Sequence, residues 1–325
     1  VKKANLFFPA ADFISRFFTM NNPMQLDHIA LHVTDLKRSI RFYQEILHMQ
    51  VNGPVHLGTL SKGGRFIGKV AGGQGFLQGI IGSISSRALR DQYTDLAFLS
   101  PSGKAYEILL VQERYPETNA TRSVDGNTIF GFSCLLSSAV DPEILAWDLN
   151  QAGADFTWGD PGLDGTIFSQ DCPNHSLYVR DPDGRMIELI PNGVDDPSVP
   201  FIGGLNTITL HVTCPDKSKQ FYSDKLGMKT ESENTGSIPG KRFVRLQNNE
   251  GKSCIILFGQ TKPDGEPIEA GGYGLDHFAV SGCKFTGDIT NDPTDIRMEP
   301  EKLTEHTGSA YIRDYDGYWI ECMKQ

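Results

Sequence analysis

The sequence predicts an α+β fold of four βαβββ units, and three sets of internal echoes predict it. LDHIALHVTDLKRSIRFYQEILHM from Leu26 is written again as LNTITLHVTCPDKSKQFYSDKLGM from Leu205. HSLYVRDPDGRMIELI from His175 is matched by SAYIRDYDGYWIECM from Ser309. Strand starts at Leu26, Ile129, Leu205 and Gly274 (LDHIALHV, IFGFSCLL, LNTITLHV, GLDHFAV) then give the period of the repeat.

The first unit runs from about Gln25 to Gln112. Leu26, His28, Ala30 and His32 alternate with Asp27, Ile29, Leu31 and Val33, the period of an extended strand. Thr34 and Asp35 offer oxygens to the free amides of a helix start, and Leu36, Ile40, Tyr43 and Leu47 recur on one helical face. SPSGKAYEILL from Ser100 closes the unit and carries Glu107. Glycine-rich Gly58 to Gly82, with Arg65 and Lys69, is an insertion. Glu113 to Thr128 joins this unit to the second, Ile129 to Asn192, which ends in two strands around an Asp/Gly turn with Glu188 on the outgoing strand. Asn192 to Gly204 is the linker between halves. The third unit, Gly204 to Gln260, has Thr213 and Pro215 at its helix start, Gly227 at its stop, and Ile256 where the closing acid would fall. The fourth, about Gly271 to Gln325, closes with Glu321 and is short enough that its helix is reduced or lost. The chain thus divides into an arm over 1–24 and two halves over 25–193 and 204–325.

At 325 residues and 39% hydrophobic content the chain supports two ordinary cores. A net charge of -10 and a pI near 5.3 argue against a nucleic-acid partner. No run approaches a membrane span. Six cysteines at isolated positions, with no CxxC pair, read as reduced residues of a cytoplasmic protein. The partner expected is a small molecule, bound by a monomer or homodimer. The basic, apolar start VKKANLFFPAADFISRFF is broken by Pro9, Asp12 and Arg16 and reads as a docking arm.

His28 and His277 hold equivalent places in the shared string LDH, and Glu107, Glu188 and Glu321 each sit in an apolar closing strand. A carboxylate among apolar neighbours needs a partner, and a divalent cation supplies one. His32 and His211 lie four residues beyond the first-strand position, about 13 Å along a strand, and read as structural or cleft-wall residues. Asp181, Asp183 and Gly184, like Asp314, Asp316 and Gly317, are turn chemistry.

The unit order, the opening DHIALHVTDLKRSIRFYQEIL and the closing YVRDPDGRMIELI resemble the vicinal oxygen chelate superfamily: glyoxalase I, extradiol dioxygenases and the fosfomycin- and bleomycin-resistance proteins. The resemblance covers nearly everything after Met24. It implies that units pair into two half-open β-barrels with helices outside, and that ligands come from first and last strands. Carried over, it assigns His28, Glu107, His277 and Glu321 as ligands of one divalent ion (Fe, Zn, Ni or Mn). The second unit offers only Glu188, with Gly131 or Phe132 at its first position. The third offers neither, with Thr207 and Ile256. Pairing the first unit with the fourth therefore completes one site and leaves the other empty, whereas pairing in chain order leaves His28, Glu107 and Glu188.

Three activities follow from the resemblance. The leading one is a glyoxalase-type lyase or isomerase in which Glu321 or Glu107 shuttles a proton and the cation stabilises an enediolate. The second is Fe(II) extradiol ring cleavage, since Tyr311, Asp314, Gly317 and Glu321 follow the spacing of that closing motif, with Tyr311 and His306 assisting. Thr207 and Tyr315 depart from it. The third is metal-free binding of a small ligand, as in resistance proteins.

Overall fold

The computed structural model describes residues 24–56, 93–101, 106–113, 129–158, 176–194, 201–234, 240–262, 265–268, 274–282 and 309–323. The arm, the Gly58–Gly82 insertion, His306, the segment expected to hold the fourth unit's helix and the side chain of Tyr311 lie outside them.

The fold is α+β, with two mixed sheets and few helices. The first unit contributes β1 (Gln25–Val33), β2 (Gln50–His56), β3 (Tyr93–Ser100) and β4 (Ile108–Glu113), and the second β5 (Ile129–Ser137), β6 (Phe156–Trp158), β7 (Leu177–Arg180) and β8 (Met186–Val194). The third supplies β9 (Ile202–His211), β10 (Lys229–Asn234), β11 (Lys241–Gln247) and β12 (Ser253–Gln260); the fourth supplies β13 (Leu275–Ser281), β14 (Ser309–Arg313) and β15 (Trp319–Met323). One sheet has the order β14-β15-β13-β1-β4-β3-β2 and the other β10-β11-β12-β9-β5-β8-β7-β6. Units one and four therefore share a sheet, and units two and three share the other. In each, two first strands meet antiparallel at the centre, β1 with β13 and β5 with β9.

Helix α1 (Leu36–Arg41) starts at Asp35, whose side chain accepts the Arg38 N–H, and runs into a wider turn over Phe42–Ile46 that buries Tyr43 and then Leu47. Helix α2 spans Pro142–Gln151, and α3 spans Pro215–Leu226 with Pro215 in its first turn and Gly227 left-handed at its end. The residue flanking α3 is Cys214, which makes no capping bond, and the Thr213 N–H goes to Asp316 of the fourth unit. Asp183 of the second unit likewise takes the Thr34 N–H ahead of α1.

These contacts tie the sheets together. Tyr43, in the wider turn after α1, donates to Asp181, and Tyr222 of α3 donates to Asp314, so the Asp/Gly turns are structural, as their spacing suggests. One apolar cluster joins both sheets and all three helices, taking Ile29, Leu31 and Val33 from β1, Ile208 and Leu210 from β9, and Leu36, Leu145 and Tyr222 from the helices. The faces of β1 and β13 that bear His28 and His277 look away from this cluster.

Candidate metal centre

Central pairing fixes the two imidazoles. β1 and β13 place His28 opposite Ala279 and Ala30 opposite His277, so the histidines are diagonal neighbours on one face of the sheet. β15 lies parallel to β13 with Glu321 beside Ala279. Ala279 thus stands between Glu321 and His28, and its single methyl leaves the carboxylate room to reach across. The Nε2 atoms of His28 and His277 are 3.3 Å apart, and Glu321 Oε2 lies 3.6 Å from the first and 3.4 Å from the second.

Hydrogen bonding on the far side of each ring shows what these atoms are. His28 Nδ1 is 2.9 Å from Asp27 Oδ1, and His277 Nδ1 is 2.6 Å from Asp276 Oδ1. A carboxylate only accepts, so each Nδ1 donates to its aspartate and each ring turns its Nε2 inward. Two imidazole nitrogens and a carboxylate oxygen then converge, an arrangement that a cation would satisfy. Ligand bonds of about 2.1 Å in tetrahedral or octahedral geometry place neighbouring donor atoms about 3.0–3.4 Å apart, close to the separations found. Among the described residues these three form the group that could hold a metal ion. Burial alone would lower the His277 pKa, but hydrogen bonds to Asp276 and Glu321 outweigh it and push it up to about 9. Without an ion, a proton serves as the cation.

Of the four expected ligands, the structure brings together His28, His277 and Glu321. Glu107 is buried beside His28 in the β1–β4 register but stands apart from the group, its Oε1 accepting the Leu205 N–H of the other sheet at 3.2 Å. It sits in a bend just before β4, where strand alternation does not fix a side chain's direction. The preceding residue, Tyr106, takes the cleft-side place: its hydroxyl is 3.4 Å from His28 Nε2 and its ring packs on the imidazole at 4.7 Å. Desolvation, then the charges of Glu321 and Asp27, raise its pKa far above that of a free phenol, so it remains a donor. Tyr311 pairs with Glu321 across β14 and β15.

Tyr106, Asp27 and Asp276 were missed in reading the sequence. An acid directly before each ligand histidine was the available signal; for Tyr106 there was none beyond adjacency to Glu107.

The second sheet repeats the frame without the histidines. Register matches His28 to Thr207, His277 to Gly131, and Glu321 to Glu188. It also matches Glu107 to Cys254 rather than to Ile256, since Ile255 pairs with Ile208 as Ile108 pairs with Ile29. Here Thr207 and Ser133 hydrogen-bond each other at 2.7 Å, Tyr178 donates to Glu188, and Tyr178, Met186, Phe243, Ile256 and Phe258 pack as a cluster.

The profile of the Glyoxalase/Bleomycin resistance protein/Dioxygenase superfamily matches residues 25–189 and 204–322. The chain belongs to this superfamily. Its fold is similar to that of glyoxalase I from Zea mays, with 18% identity over 92% of each chain and a TM-score of 0.53. It is also similar to a putative dioxygenase from Bacillus subtilis, with 15% identity over 93% of this chain and 86% of that one and a TM-score of 0.54. No curated protein sequence matches it. No helix among the described residues is long and apolar enough to cross a membrane. Within the superfamily frame, the observed sheets follow the arrangement in which units one and four meet, and the converging donors come from opposite ends of the chain.

Proposed function

We propose that this protein is a mononuclear divalent-metal enzyme acting on a small substrate with vicinal oxygens, most like a glyoxalase-type lyase or isomerase. The observation that carries the reading is the convergence of His28 Nε2, His277 Nε2 and Glu321 Oε2 within 3.6 Å of one another. These three residues would hold the ion. Bound there, a divalent cation acts as a Lewis acid toward adjacent substrate oxygens. Glu321, whose carboxylate faces both imidazoles, would carry the proton removed from the carbon beside a substrate carbonyl and return it to the neighbouring carbon. Tyr106 Oη donates to an oxygen that gains negative charge.

The test begins with protein purified without chelator. One divalent ion per chain is expected, lost when His277 or Glu321 is replaced by alanine. Glu321→Gln is expected to fold as the native protein does and to lose isomerisation of α-hydroxycarbonyl substrates; normal turnover by this variant would reject Glu321 as the base. Absence of any ion from the intact protein and from protein given Co2+ or Zn2+ would reject the enzyme.

A second reading has its own support: two imidazoles and one carboxylate on one face are the donor set of non-haem Fe(II) oxygenases. Ring cleavage of a catechol by this set requires iron and consumes oxygen, with Tyr311 beside Glu321 in register. Oxygen uptake with Fe(II) and a catechol separates it from the isomerase.

A further inference from the structure

β1 and β13 each carry a bulge, and each bulge falls on an acid that precedes a ligand histidine. In the β1–β13 ladder Leu26 pairs with Val280 and His28 with Ala279, leaving Asp27 unpaired; Ala30 pairs with His277 and Leu31 with Leu275, leaving Asp276 unpaired. Adjacent residues of a regular strand point to opposite faces, so neither aspartate would reach its neighbouring ring without the extra residue. The second sheet keeps both bulges. Leu205 and Thr207 pair around Asn206, and Ile129 and Gly131 pair around Phe130. The backbone device therefore belongs to the fold, whereas the acids occur only where the imidazoles do.

The two acids are not equal. Asp27 is 38% exposed, and Asp276 is 9% exposed. Asp276 also places its second oxygen 3.4 Å from His32 Nε2. The backbone beneath is fixed: the His32 N–H donates to Gly274 O, and fully buried Arg185 donates through Nη2 to both His32 O and Gly274 O. Arg185 is held in turn by Asp181, the acceptor of Tyr43. His211 occupies the matching place in the other sheet, where no carboxylate stands at position 130.

We propose that Asp276, supported by His32, is the positioning residue that makes His277 the anchor ligand, and that Asp27 does the same for His28 more weakly. The proposal rests on the metal reading above. A carboxylate on Nδ1–H fixes the tautomer and raises the basicity of the ligating Nε2, and loss of such a partner weakens metal affinity about 10–100-fold. His32 restrains the carboxylate. It is not itself a ligand, in keeping with its distance along the strand.

Dissociation constants for Co2+ alone, measured by competition with a chromophoric chelator, test it, with the Co2+ absorption bands reporting the donor set. Asp276→Asn is expected to weaken binding about 10–100-fold and Asp27→Asn by less than about 10-fold. His32→Gln, which keeps a donor, should bind Co2+ nearly as the native protein does, and His32→Leu should bind more weakly. In the Asp276→Asn background His32→Leu should have no further effect, because the line is already broken. His277→Ala serves as the reference: if it leaves Co2+ binding intact, the metal centre itself is wrong. If it abolishes binding while Asp276→Asn stays within about twofold of native, the positioning role alone is overturned. Urea midpoints check folding; should Asp276→Asn fail to fold, a His32→Leu variant indistinguishable from His32→Gln in Co2+ affinity overturns the line.

Discussion

Replacing Asp314 by asparagine should flatten the pH dependence of stability. Asp314 is buried beneath α3, where its oxygens accept the Tyr222 hydroxyl at 2.7 Å, the Tyr318 N–H at 2.8 Å and the Asp316 N–H at 3.0 Å. Desolvation outweighs these bonds, and the charge of Asp316 adds to it, so the pKa is pushed up to about 7. Its counterpart Asp181 makes the same bonds but also takes Arg185 Nη1 at 2.8 Å; Tyr318 replaces that arginine in the fourth unit. An acid whose pKa rises on folding holds a proton that the unfolded chain has released. Its contribution is complete below about pH 4 and is lost as pH rises through about 7. Three units at about 1.4 kcal/mol each give ~4 kcal/mol, of which about 2 kcal/mol falls between pH 5.5 and 8. Urea unfolding with chelator present, at both pH values, reads the difference between native protein and Asp314→Asn. His277 and His211 titrate in both proteins and cancel. Tyr318→Arg, which restores the Asp181 arrangement, should flatten the same slope while the carboxylate remains. Equal slopes in all three proteins would refute the assignment.

Three further outcomes follow from the site. Ala279→Val places two methyl groups between Glu321 and His28, and should weaken Co2+ binding at least about tenfold while costing about 1–3 kcal/mol of stability; native affinity would show that Glu321 does not reach across this position. Tyr106→Phe should retain the ion and lower turnover about 10²–10³-fold if its hydroxyl faces developing charge, and an unchanged rate constant removes that role. Gly131→Ala brings a Cβ to 2.3 Å from Met186 O, so β5 and β8 must separate; a loss of about 1–3 kcal/mol in urea unfolding is expected, and none would mean that the strands part freely.

Much of this architecture was legible because the chain repeats itself. Hydrophobic alternation located the first strands, Asp35 and Pro215 located helix starts, and the distribution of His28, His277 and Glu321 pointed to a meeting of units one and four while leaving pairing in chain order open. Register was not legible. It depends on bulges, and a bulge is a property of two strands together, so the acid position in β12 was misplaced by two residues and Gly131 was left level with Phe132. The direction of Glu107 was hidden for a related reason, since alternation says nothing of a residue in a bend before its strand.

Duplication explains both the centre and its empty twin. A βαβββ unit brings one central strand and one flanking strand to a cleft, so a cleft shared by two units has four natural ligand positions. In the β1–β13 sheet, Ala30 and Ala279 sit between those positions and keep the donor atoms close. In the β5–β9 sheet, Thr209 and Ser133 occupy the same places, and Gly131 lies too close to Met186 O to admit even a methyl group. Restoring ligands there by substitution would first require the strands to move apart. That cleft has no imidazole at these positions and is filled by Phe243, Phe258 and Met186, and its acid, Glu188, is held by Tyr178. The second sheet now serves the first through Arg185 and the Glu107–Leu205 bond, both of which cross from one sheet to the residues around the other's donor atoms.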